Sequence, residues 1–187
     1  MNNKKTNFKI GVLIIMVVAA AMSRLIPHPP NFTPIGAMAL FGAAYFPKKW
    51  MAVVVPLLSL WLSNMILDNV FFSGSYEGVF QWFSQPFVFL AFGLTVAVGW
   101  LLLKKVSAGS VLAAALVSSA IFFLVVNFGF WLSFSPIKNV GTLFASYVAA
   151  IPFDLMTLTS NLIYSAILFG AYETLKQRIP ALATAKS

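Results

Sequence analysis

The chain has no cysteine, one histidine and only four acidic residues among its 187. The missing cysteines exclude disulfides, thiolate metal sites and cysteine nucleophiles, and leave the redox compartment unreadable. A lone histidine with no carboxylate beside it completes no metal-ligand spacing, so no metal is expected. A membrane protease or transferase needs a nucleophile with its base, a close carboxylate pair or a metal cluster, and the residues for each are missing. No glycine-rich loop leads into a Lys-Ser or Lys-Thr pair, so the chain cannot hydrolyse ATP by itself. The expectation is a protein that is not an enzyme and uses no cofactor.

Apolar residues are abundant, at 60 % of the chain with a mean hydropathy of +0.92, more than a soluble domain can bury. The composition therefore reads as an integral membrane protein. The first apolar run, "IGVLIIMVVAAAMSRLI", has no small-residue cleavage site after it and is followed by further runs, so it reads as a retained helix and not a signal peptide. Breaks at Pro, Gly and Lys clusters divide the chain into six helices at roughly 8–26, 34–46, 49–69, 79–104, 108–133 and 143–175. The fold class expected is an all-α, six-span bundle forming one domain, with a disordered tail at 180–187.

The basic residues test that topology. Lys4, Lys5, Lys9, Lys48, Lys49, Lys104, Lys105, Lys176, Arg178 and Lys186 fall on one side of a six-span chain, and only Arg24 and Lys138 on the other. Such a bias puts both termini in the cytoplasm. It also accounts for the net charge of +8 without nucleic acid, because the charges edge apolar runs and do not gather on one polar face.

The second helix is too short for a bilayer: about 13 residues at about 1.5 Å each reach about 20 Å, against a hydrocarbon core of about 30 Å. The preceding "PHPPNFTP" is expected to supply the missing depth by dipping inward from the outer face, where prolines fix the backbone and need no amide partner. Asp68, Glu77 and Asp154 lie toward that same side with Arg24 and His28. Trp61, Asn64 and Asp68 share a face of the third helix, and Asn127 and Trp131 one of the fifth. On the sixth, Asp154, Thr157, Asn161 and Tyr164 form a stripe after Pro152. Three polar stripes point to an outer cavity with apolar walls and a few orienting groups. Other roles fit the same residues: Arg24 as a snorkelling side chain or the partner of Asp68 or Asp154, His28 as an ordinary loop residue, Trp61, Trp82 and Trp131 as an interface belt.

Small residues recur at helical spacing as well: Ala19 with Ser23, Gly36 with Ala39 and Ala43, Ala115 with Ser119, Ala166 with Gly170. They suit close helix contacts, within the chain or against another membrane subunit.

Three stretches, "SRLIPHPPNFTPIGAMALFGAAYF", "NFGFWLS" and "AAIPFDLMTLTSNLIYSAILFGAYE", resemble a family of small bacterial membrane proteins assigned to transport without an established function. The size, helix number and structured first outer loop are similar to the substrate-binding S components of energy-coupling-factor (ECF) transporters. That resemblance implies a bacterial inner-membrane protein binding a small, vitamin-like molecule, with a transmembrane coupling subunit and its ATPases as partners, or working alone. It implies substrate contacts from Arg24, His28, Asn31, Thr33, Asn64, Asp68, Asn127, Trp131, Asp154 and Asn161, and docking through Gly36, Ala39 and Ala43 or Ala19 and Ser23. The chain departs from the resembling pattern at Ser63-Asn64, where Ser-Asp is usual. The alternative is a structural subunit of a membrane complex, in which the polar stripes only knit helices together.

Overall fold

A computed structural model describes residues 3–83 and 85–183. Helix α1 (Asn3–Met22) tightens into a turn at Ser23–Leu25 and stops where Ile26, held extended before Pro27, can no longer be helical. The loop to α2 (Ile35–Tyr45) bends at Asn31, whose φ of 62° lies in the left-handed region that asparagine tolerates best after glycine. Helix α3 (Lys49–Ile66) widens at Leu67–Phe71, where the Phe72 amide reaches back five residues to the Leu67 carbonyl at 2.8 Å. Pro86, at a first-turn position that needs no amide, opens α4 (Pro86–Leu102). Helices α5 (Ala108–Phe134) and α6 (Val140–Arg178) start with reciprocal caps, Ser107 with Ser110 and Asn139 with Thr142. A last short turn, α7 (Pro180–Ala183), follows.

Among the described residues there is no strand, as the all-α reading expects. Among the described residues four segments are long and apolar enough to cross a membrane: Lys4–Leu25, Lys49–Phe71, Ala108–Phe134 and Val140–Arg178. Helices α2 and α4 are apolar but shorter, at 11 and 17 residues.

Several expected bounds change. The fourth helix begins at Pro86 and not near 79, because Asn69 on the widened turn pins the preceding loop, exchanging bonds of 2.7 and 3.0 Å with the Gln81 backbone. Helix α6 runs unbroken through Pro152, longer at both ends than expected. The tail is ordered as far as Ala183, since Leu182 is 1 % exposed and α7 packs on α1; residues 184–187 lie outside the described residues.

Helix α2 is the hub. It touches α1, α3, α4, α5 and α6, and Ala37 to Phe41 are fully buried. On one side Phe41 and Tyr45 meet Phe169 and Tyr172 with ring centroids 4.4–5.6 Å apart. On the other, Ile35 and Ala39 join Leu60, Val88, Phe92 and Val96. The Tyr45 hydroxyl donates to the Glu173 carboxylate at 2.6 Å, and Lys176 holds the same carboxylate at 2.9 Å. Lys49 stands over the Trp100 ring, so the ends of α2, α4 and α6 and the start of α3 form one lysine-rich end. The proline loop lies at the opposite end.

Candidate functional site

The loop end holds an open cavity of about 830 Å³. Its walls come from the loop after α1, the widened end of α3, the start of α4 and the middles of α5 and α6. Sequence-predicted Arg24, His28, Asn31, Thr33, Asn64 and Asp68 all line it.

Arg24 is the anchor, at 7 % exposure. Its Nη1 donates to Ser63 Oγ at 2.6 Å and to Asn64 Oδ1 at 2.7 Å, and the Asp68 charge acts on it. Of the two acids weighed as its partner, Asp68 is therefore the near one. Two donors in this cluster are left over: Arg24 Nε and Asn64 Nδ2 are buried without a hydrogen-bond partner. An unpaired buried donor costs about 1–3 kcal/mol, so the cluster is poised to gain from an acceptor brought by a ligand. Asn64 thus supplies an amide donor with no partner of its own.

The loop is fixed to the bundle. The Ser160 hydroxyl donates to the Thr33 carbonyl at 3.0 Å, Ser23 Oγ meets the Tyr164 hydroxyl at 2.9 Å, and the Phe32 and Tyr164 rings lie 5.9 Å apart. His28 is exposed at the rim, with Nδ1–H donating to the Ile26 carbonyl at 2.7 Å.

Four predicted residues do not line this cavity, Asn127, Trp131 and Asp154 lying away from it and Asn161 in a small adjoining pocket that shares Thr33, Ile35, Phe122 and Thr157 with it, which corrects the expectation of one shared cavity. Asn127 donates to Asp154 Oδ2 at 3.0 Å, and Trp131 Nε1 to Thr142 Oγ1 at 3.0 Å, so three of them tie α5 to α6. Asp154 faces a separate shallow groove of about 260 Å³. Asn161 is 2 % exposed and donates from Nδ2 to the Ala115 carbonyl, Ser118 and Ser119 at 2.9–3.1 Å. The reason is rotational phase: helical spacing puts residues on one face but does not say which neighbour that face meets. Conversely, Gln85, Phe122, Val126 and Thr157 line the cavity; only Thr157 carried a signal, through its place in the α6 stripe.

The small residues proposed for docking are largely used inside the chain, a second correction. A Cβ on Gly36 would lie 2.8 Å from Asn161 Oδ1, Ala39 is fully buried, and Ala43 sits under Gly99. Ser23 is bonded to Tyr164, whereas Ala19 is exposed.

Among the described residues no group of three or more His, Cys, Asp or Glu could hold a metal ion. Residues 4–182 match the model of a family of unknown function, DUF6580. No curated protein and no solved structure matches the chain.

Proposed function

We propose a role for this chain, which belongs to the DUF6580 family of unknown function, from its loop-end cavity: it is a membrane transport protein that takes a small organic molecule bearing a carboxylate or amide oxygen. The observation that carries this reading is the Arg24–Asn64 pair on the wall of a cavity of about 830 Å³, with two buried donors, Arg24 Nε and Asn64 Nδ2, that have no partner. That volume suits a vitamin-sized molecule, and apolar walls with few polar groups suit its orientation. In this reading all six longer helices cross the bacterial inner membrane, the termini are cytoplasmic and the cavity opens outward. Energy comes from an ECF-type coupling subunit with ATPases, or the chain works alone.

The test is thermal unfolding of the detergent-purified protein against a panel of vitamins and small carboxylates. A ligand at 100 times its dissociation constant stabilises the fold by about 2.7 kcal/mol, a readable shift. The shift is expected for at least one compound and lost in Arg24→Gln. A cooperative melt that no compound moves would sink the reading.

The second reading, a structural subunit, is favoured by the α5–α6 pair, whose polar residues bond to each other. It predicts that the protein co-purifies with a stoichiometric membrane partner and binds no small molecule.

A further inference from the structure

At the lysine-rich end, far from the loop-end cavity, α5 and α6 leave a lateral groove of about 520 Å³. Its walls follow helical spacing, with Val111, Leu112 and Ala115 from α5 facing Leu162, Ala166 and Gly170 from α6. Leu112 is 51 % exposed, and a Cβ on Gly170 would meet nothing within 4 Å. The groove is thus apolar, open sideways and wide enough to admit a chain.

The charge beside it decides the occupant. Lys104 and Lys105 sit on the bend that leads directly into Val106 and Ser107 of the groove wall, and both are exposed. Ser110 Oγ donates to the Lys105 carbonyl at 2.9 Å, and the reciprocal Ser107–Ser110 cap fixes the bend on the first turn of α5. Neither ammonium has a partner among the described residues. The positive end of the α5 dipole adds to the same patch. We infer that this groove binds an anionic phospholipid, with an acyl chain along the α5–α6 wall and the phosphate at Lys104 and Lys105. A zwitterionic lipid would fill the same space and gain far less from two lysines. A second copy of the chain would bring two more lysines to the same edge, an arrangement that like-charge repulsion opposes.

The experiment is native mass spectrometry of the full chain released from detergent, with phosphatidylglycerol and phosphatidylcholine of identical acyl chains added in turn. Retained phosphatidylglycerol is expected, bound about tenfold or more tightly than phosphatidylcholine. Lys104→Gln with Lys105→Gln should abolish that preference, and Gly170→Phe should abolish retention of both lipids. The lysine pair is exposed, so its double variant tests the idea even if Gly170→Phe does not fold. Equal binding of the two lipids would overturn the inference. So would phosphatidylglycerol retention unchanged by the lysine substitutions, or a parent dimer that Gly170→Phe converts to monomer, which would give the groove to a second copy.

Discussion

Arg24 sets the energetic problem at the scale of the residue. A guanidinium at 7 % exposure is tolerable only with partners, and Ser63, Asn64 and the Asp68 charge supply them. Removing its charge takes the guanidinium donor from buried Ser63 and Asn64, so Arg24→Gln is expected to destabilise the fold by about 1–3 kcal/mol while abolishing ligand-induced stabilisation. Denaturation with and without ligand separates the two effects. Asp154→Asn behaves differently: the new amide oxygen still accepts from Asn127, and the residue is outside the cavity. It should change stability by less than about 1 kcal/mol and leave ligand affinity unchanged, as titration calorimetry would read. Six residues of the cavity lining were legible in the sequence because they lie on the proline loop or the adjoining ends of α1 and α3, where polar and helix-breaking residues interrupt apolar runs. Gln85, Phe122 and Val126 carry no such signal, and the Asp154 stripe misled because two helices can satisfy their polar groups on each other.

At the scale of the element, α2 shows how a helix of about 17 Å can be the best-buried in the protein. Its neighbours approach closely because small residues meet at the crossings. A Cβ on Gly99 would lie 2.5 Å from Ala43 Cβ and 3.6 Å from Leu40 Cα. Gly99→Val is therefore expected to push α2 and α4 apart and cost about 1–3 kcal/mol, whereas Gly93→Ala on the same helix meets nothing and should be neutral or stabilising by up to about 1 kcal/mol. Midpoints of thermal unfolding for the two variants would order them. Helix starts and stops were readable where proline marks them, at Pro34 and Pro47. The start of α4 was not, because residues 79–83 are as apolar as a helix, and the bonds from Asn69 that hold them as loop are long-range.

For the whole molecule, helix length and charge pull in different directions. Length alone gives four segments, among the described residues, that are long and apolar enough to cross a membrane, whereas the lysines of the α2–α3, α4–α5 and α6 ends gather at one end only if α2 and α4 also connect the two ends. The chain carries no cysteine, so one introduced thiol reports one position without background. Gly74, after α3, and Gly109, in the first turn of α5, both have open space around a Cβ. With six crossings these two positions lie on opposite sides of the membrane, because α4 crosses between them. With four crossings α4 does not cross, and they share a side. Right-side-out vesicles treated with an impermeant maleimide are expected to label Gly74→Cys at once and Gly109→Cys only after permeabilisation. Labelling of both from one side would remove α4 from the set of spans. It would also split the lysines between the two faces, against the charge asymmetry that orients membrane proteins. In the six-span proposal α2 is the short crossing, joining the proline loop to Tyr45 and Glu173 at the lysine-rich end, and the loop would have to supply the depth that 11 residues lack.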